Sequence, residues 1–199
     1  MQGLQQLLGR QGGNSAASEP EEVVGSIKTA GNLLPAIDFK ETSAANLEDG
    51  QEAENAFKLG GSATVNSDPE IDEQMLFMIV FKNQVDLTEM SIRADMPPVR
   101  HASASPAKTV KIFTNLPHLD CDDAEQLPGT LEITLNDDDL AGRMIPLPAR
   151  KFRDLHSLQV FILDNQDGAE ITFINQIVLH GRSETPLDME NFHKQSPQQ

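Results

Sequence analysis

Gln74-Met75-Leu76-Phe77-Met78-Ile79-Val80-Phe81 is the first of three apolar runs that decide the fold of this chain. The other two are Val110-Lys111-Ile112-Phe113-Thr114-Asn115-Leu116-Pro117 and Ser157-Leu158-Gln159-Val160-Phe161-Ile162-Leu163. Each run is short, rich in β-forming residues and bounded by turn formers, which is typical of strands buried between two packed sheets. The runs therefore predict an all-β sandwich.

Alternating segments between these runs predict further strands. Val85 and Leu87 occupy one parity and Met90 and Ile92 the other, so we expect a bulge at Thr88-Glu89. Turn formers at 164–168 predict a hairpin-like connection. Two more alternating sets predict strands: Leu131, Ile133 and Leu135; Ile171, Phe173, Ile177 and Leu179.

Helical signals are scarce, and the polar ends of the chain lie outside the predicted domain. One short peripheral helix is predicted from Glu48 through Phe57, ending at Gly60-Gly61. Residues 1–31 are too polar to repay the entropy of ordering, so they predict a disordered tail. The β-sandwich domain is predicted over 32–183. We expect 184–199 to be an extension that docks partly through apolar residues, namely Leu187, Met189 and Phe192, and is then disordered.

Composition limits the classes of partner. The 199 residues contain 15 Lys+Arg against 31 Asp+Glu, which gives a formal net charge of -16. That field repels nucleic acid and anionic membrane surfaces and favours basic patches on other proteins. No segment approaches the roughly 18 apolar residues of a membrane span. We expect neither nucleic acid nor a membrane as a partner.

No catalytic, cofactor-binding or metal-binding constellation is predicted. Cys121 is the single cysteine, so neither an intrachain disulfide nor a CxxC pair can form. Its aspartate neighbours disfavour the thiolate, and a reducing compartment fits best: cytoplasmic, with the nucleus as a further site. The five histidines, His101 among them, are scattered and fit chance surface positions. Ser103 and Ser105 lack a nucleophile elbow.

Acidic clusters invite a calcium interpretation that the spacing does not support. Asp120, Asp122, Asp123 and Glu125 have no glycine or distal glutamate at the EF-hand positions, so a solvated loop is favoured. The run 136–139 fits a turn or helix cap after a strand. A cation bridging separate loops stays open as an alternative.

Two proline-containing loops are the candidate protein-binding residues: Met96, Pro97 and Pro98, with Val99 beside them, and Leu116 with Pro117. Exposed apolar residues on stiff loops lose little entropy on binding, so they can anchor a partner. The alternative is that these prolines only terminate strands and their side chains pack onto the sandwich.

From about residue 32 to 194 the chain resembles the PITH domain, as a stand-alone member without the thioredoxin domain found in some relatives. Five blocks carry the resemblance: Asp72-Glu73-Gln74-Met75-Leu76, Val110-Lys111-Ile112-Phe113-Thr114-Asn115-Leu116-Pro117, Lys151-Phe152, Ser157-Leu158-Gln159-Val160-Phe161-Ile162, and Phe192. The resemblance implies a jelly-roll β-sandwich of the galactose-binding-like type.

The same resemblance implies a non-catalytic, proteasome-associated interaction module. We therefore expect a monomer that binds a protein, the proteasome regulatory particle, and that has no cofactor. Because the CxxC is missing, disulfide reductase activity is not carried over. The alternative function is a small-ligand or carbohydrate-binding jelly roll. The absence of Trp and Tyr argues against a sugar-stacking platform.

Overall fold

The computed structural model describes residues 26–58 and 64–186. Within these ranges it contains eleven strands: β1 (Ser26–Asn32), β2 (Ser43–Ala45), β3 (Val65–Asn66), β4 (Met75–Arg93), β5 (Ser105–Pro106), β6 (Thr109–Thr114), β7 (Leu131–Thr134), β8 (Ile145–Pro146), β9 (Leu155–Ile162), β10 (Thr172–Ile174) and β11 (Gln176–Pro186). Its helices are short: α1 (Cys121–Gln126), α2 (Asp137–Leu140) and 3-10 turns at Leu34–Ala36 and Ala53–Phe57. The secondary structure is therefore mostly β, as predicted.

The three apolar runs lie side by side in the large sheet. Its strand order is β1-β11-β4-β9-β6-β7, so β4, β9 and β6 are hydrogen-bonded neighbours. The pairing is antiparallel, with Leu76 opposite Phe161 and Val110 opposite Ile162. The first β4 segment is flanked by β2 as well as β9, and the last one by β11 and β8. Both edges of β4 are thus paired over much of its length.

The two faces of these strands pack against different layers. Phe77, Ile112 and Val160 belong to the main core, which also includes residues of β3, β10 and β11. Residues of opposite parity, such as Phe113 and Phe161, form a second cluster under α1. Because both faces are covered, the runs are continuously apolar instead of alternating.

A bulge at Thr88 keeps the core face of β4 constant. Leu87 pairs with Gly181 and Glu89 pairs with His180, so Thr88 is the extra residue. The bulge confirms the predicted change of phase. A Cβ atom on Gly181 would lie 2.1 Å from the carbonyl oxygen of Asp86, so only glycine fits opposite this bulge.

A smaller sheet, β3-β10-β5, covers the other side of the core. β10 is antiparallel to β3 and parallel to β5. The predicted hairpin at 164–168 is wrong, because β9 lies in the large sheet and β10 in the small one. The turn carries the chain between sheets, and Asn165 closes it by donating to the carbonyl oxygen of Ala169 at 2.8 Å.

The strands extend beyond the predicted domain limits at both ends. β1 (Ser26–Asn32) begins within the predicted tail, so that 26–31 are part of a strand that pairs in register with β11. β11 itself continues to Pro186. Backbone pairing with a neighbouring strand does not require apolar side chains, which is why composition set the boundaries too far inward. Residues 1–25 and 187–199, including the predicted docking residues of the extension, lie outside the described residues.

The helices differ from the expectation in two places. The predicted Glu48 helix is a single 3-10 turn that begins at Ala53, and its predicted end at Gly60-Gly61 lies outside the described residues. The acidic segment interpreted as a loop is α1, with the Asp120 carboxylate accepting from the Asp123 amide at 2.8 Å. The cap predicted after β7 is confirmed, since Asn136 and Asp139 form a capping box at α2. None of the described helices is long and apolar enough to cross a membrane.

The bulge predicts a specific sensitivity at Gly181. Gly181→Ala is expected to lower the free energy of unfolding by about 1–3 kcal/mol, because the added methyl group overlaps the β4 backbone. Urea denaturation measures the change. Ser183→Ala on the same strand is the control and should stay within about 0.5 kcal/mol of the parent. An unchanged stability for Gly181→Ala would contradict the register of β4 and β11.

Candidate functional site

The candidate site centres on a cleft of about 590 Å³, which we call the polar cleft. One wall is the segment Glu48–Gln51 with Thr64 and Asn66, and the other is Met96–Arg100. The bridge between Leu47 and Ser67 and the strand β3 hold the first wall. The second wall follows the end of β4. The cleft thus forms where segments distant in sequence meet at strand ends.

A hydrogen-bonded network organises the first wall. The Glu48 carboxylate accepts from the Asn66 amide at 2.8 Å and from the Gln51 amide at 3.0 Å. The Gln51 side-chain oxygen in turn accepts from the Asn66 backbone amide at 2.8 Å. These bonds fix the conformation of the wall before any ligand arrives.

Glu48 also joins the two walls electrostatically. Its carboxylate lies 2.9 Å from Nε2 of His101, the residue that follows Arg100. The hydrogen bond from Asn66, followed by that with His101, holds the pKa of Glu48 below its usual range, although partial burial opposes the shift. The cleft therefore carries a stabilised negative charge on one wall, and the second wall ends in the cationic Arg100.

Asn175 fixes the second wall from inside the fold. Its buried side chain accepts from the Met96 amide at 3.0 Å and donates to the Met96 carbonyl oxygen at 2.8 Å. Next to Met96, the Arg93 guanidinium holds the pKa of Asp95 low through a 2.6 Å contact. The polar interruption at Asn175 between β10 and β11 thus has a structural reason: it anchors the loop after β4.

A second depression, of about 240 Å³, lies beside α1, and we call it the apolar groove. Leu116 and Leu127 are 43% and 44% exposed, which is high for leucine side chains in a folded domain. Pro117 and the buried Leu119 complete the apolar lining, and His118 and Asp123 are the polar residues of the groove.

A buried lysine attaches α1 to the sheet under this groove. Nζ of Lys111, on β6, donates to the carbonyl oxygens of Glu125 at 2.6 Å, Ala124 at 3.3 Å and Leu127 at 3.4 Å. These are carbonyl groups at the C-terminal end of the helix, where a positive charge is favourable. One side chain therefore satisfies the helix end and fixes the position of α1.

The predicted contact residues lie in two separate places. Met96 and Pro97 are exposed and line the polar cleft, whereas Pro98 lines it as a buried residue. Leu116 and Pro117 are exposed in the apolar groove, and neither borders the polar cleft. Their role in binding a protein stays a prediction.

Sequence reasoning missed the polar half of the cleft. Glu48 and His101 are 53 positions apart, and Asn66 and Asn175 come from two further strand ends, so no local spacing signals them. His101, interpreted as a chance surface histidine, instead lies within hydrogen-bond distance of Glu48. A tertiary contact map is needed to find these residues.

The described residues contain no group of three or more His, Cys, Asp or Glu side chains that could hold a metal ion. Ser105 is buried and donates to Asp167 at 2.8 Å, a contact that ties β5 to the 164–168 turn. Burial raises the pKa of the Cys121 thiol, and the charges of Asp72, Asp120 and Asp122 add to that effect. The thiol is therefore a poor nucleophile.

Comparison with known families gives one match that covers most of the chain. Residues 25–197 match the PITH domain. The chain is also 30% identical over 158 residues to "Thioredoxin-like protein 1" of Schizosaccharomyces pombe, a region that covers 78% of this chain and 52% of that protein. The chain thus spans about half the length of this curated relative.

Solved structures agree on the fold at low sequence identity. CBM32-3 from a family 31 glycoside hydrolase of Clostridium perfringens has a TM-score of 0.52 at 17% identity, covering 73% of this chain and 94% of that one. The family 32 CBM from C. perfringens NanJ, solved in complex with galactose, has a TM-score of 0.54 at 11% identity, covering 77% of this chain and 99% of that one. The F5/8 type C domain of a Bacteroides fragilis protein has a TM-score of 0.54 at 12% identity, covering 78% of this chain and 97% of that one. The predicted jelly-roll sandwich is confirmed.

The lowered pKa of Glu48 predicts a pH dependence of stability. The fold favours the charged carboxylate, so its contribution is complete above the ordinary glutamate range and is lost as the pH falls through the lowered pKa. The stability difference between the parent and Glu48→Gln should therefore shrink on acidification. Urea denaturation across a pH series measures it, with the exposed Glu70→Gln as control. A difference that grows as the pH falls through the lowered pKa of Glu48 would contradict this assignment.

Proposed function

The chain belongs to the PITH domain family, and from that membership we propose that it is a non-catalytic protein-interaction module that associates with the proteasome regulatory particle. The observation that carries the proposal is the extent of the match, which runs from residue 25 to 197 and so includes every described strand from β1 to β11. The thioredoxin-like relative supports the same role at the level of the family.

The surface chemistry supports protein binding over catalysis. The polar cleft is built from side chains that are already hydrogen-bonded to one another, with no nucleophile next to a free general base among the described lining residues. Val99, at its rim, is fully exposed at 102%, and Met96 is 37% exposed. Apolar side chains on a pre-ordered loop are suited to a protein partner.

We further propose that the protein acts as a monomer in the cytoplasm and the nucleus. A single, partly buried cysteine is compatible with reducing compartments. The net charge of -16 favours encounter with basic surfaces of a large assembly and keeps copies of this chain apart.

Carbohydrate binding is the alternative that the fold brings to mind. The galactose complex belongs to a structure that is 11% identical, which supports the shared fold alone. The eleven described residues that line the polar cleft include no aromatic side chain on which a sugar ring could stack. We therefore rank it below protein binding, and a galactose-dependent rise in melting temperature would reverse that order.

A pull-down of purified 26S proteasome on the immobilised full chain tests the proposal. We expect proteasome subunits to be retained above the level of an unrelated acidic protein. If the polar cleft is the contact, Val99→Asp should reduce retention about tenfold, which corresponds to about 1.4 kcal/mol.

Ile71→Asp is the matched control, because Ile71 is a 66% exposed β-branched residue that borders neither the polar cleft nor the apolar groove. It should bind as the parent does. Retention of the parent chain no better than that of the unrelated protein would reject proteasome association. If Val99→Asp and Ile71→Asp retain the proteasome equally, the contact does not lie at the polar cleft.

A further inference from the structure

We propose that the apolar groove beside α1 binds a short peptide segment in which apolar side chains are flanked by lysine or arginine. The inference rests on the proposed interaction function and names the surface and the partner chemistry within it. Three features of the groove carry it: exposed leucines, a fixed framework and an acidic rim.

The leucines give the groove an apolar surface that no other part of the described domain covers. Leu116 comes from the loop after β6 and Leu127 from the end of α1, yet they line the same depression with Pro117. They are two of the few large hydrophobic side chains that are exposed in the described part of the chain. Convergence of such residues at one depression is typical of an interaction site.

The framework of the groove is ordered before binding. The Leu116 amide donates to the buried Gln159 side chain at 3.1 Å, and the Leu119 amide donates to the Leu116 carbonyl oxygen at 3.2 Å. Lys111 holds the opposite wall, α1, to β6. Binding of an anchor residue in this groove therefore costs little conformational entropy on the protein side.

The rim selects the charge of the occupant. Asp123 lines the groove, and the same short segment carries three more exposed carboxylates: Asp120, Asp122 and Glu125. Asp120 and Asp122 border a neighbouring depression that shares Leu119 with the groove, so they add to the negative field around it without lining it. Lys111, on β6, is buried, and its ammonium group donates to the carbonyl oxygens of α1 instead of to these carboxylates. Lysine and arginine side chains next to an apolar anchor complement this field.

A second copy of this chain is a poorer occupant. A twofold contact through the groove would bring two identical acidic rims together, and each chain carries a formal charge of -16. Charge complementarity thus assigns the groove to a basic and apolar segment of another protein.

Fluorescence anisotropy with the full chain tests the proposal. The probe is a labelled hexapeptide with two central leucines and two Lys or Arg residues on each side. The parent chain should bind it, and binding should weaken as salt rises from about 50 to 300 mM because the rim charges are exposed. Leu116→Ser combined with Leu127→Ser should weaken binding at least tenfold, and Asp122→Asn combined with Asp123→Asn should weaken binding and reduce its salt dependence.

Ile71→Ser is the matched control and should bind as the parent does; melting curves check that each variant is folded. A peptide with glutamate in place of every lysine and arginine should not bind. The proposal is overturned if the parent does not bind the basic peptide at millimolar concentration, if the leucine variant binds equally, or if the glutamate peptide binds as well. Dimerisation of the parent that the leucine variant abolishes would assign the groove to a second copy and overturn it too.

The proteasome pull-down with the parent chain, compared with the peptide titration, separates this proposal from the proposed function. Proteasome retention by the parent with no peptide binding leaves the proposed function standing and rejects the groove. Groove-dependent peptide binding without proteasome retention supports the groove as a peptide site and rejects proteasome association.

Discussion

The pairing of β4 with both halves of the large sheet is the constraint on which the rest of the structure depends. This strand of 19 residues pairs first with β9 and β2 and then with β11 and β8, so it joins both halves of the large sheet. Core residues change parity between Leu87 and Met90. In a regular strand this change would turn the second half of β4 away from the core. The bulge at Thr88 and the absence of a side chain at Gly181 allow one strand to serve both halves.

Both candidate surfaces depend on this strand in different ways. The polar cleft lies beyond its C-terminal end, where Asn175 holds the backbone of Met96. The apolar groove rests on β6 and β9, which extend the sheet from its first half, and Lys111 fixes α1 there. The sandwich therefore supports both candidate surfaces, which lie at strand ends and beside one helix outside the core.

The sequence predicted the parts of the fold that local pattern controls. The three apolar runs, the bulge and the cap at Asn136 follow from side-chain periodicity and backbone chemistry within a few residues. The ends of the domain did not follow, because β1 is stabilised by its pairing with β11 and not by its own composition. The acidic composition of the Asp120 segment favours a loop. The helix that forms there is stabilised by the packing of Ala124 and Leu119 and by hydrogen bonds from the distant Lys111. Of the polar cleft, only the apolar loop 96–99 carries a signal in the sequence, since Glu48, Asn66 and His101 meet only after the sheets have formed.

Native-state hydrogen exchange in β4 tests the central claim most directly. If one paired strand holds the two halves together, the amides of 76–80 and of 89–92 should exchange in rising urea through the same global unfolding, with equal free energies. The result that would contradict the account is exchange of 89–92 at a much lower free energy while 76–80 stays protected. The halves would then open separately, and β4 would not be the element that unites the fold.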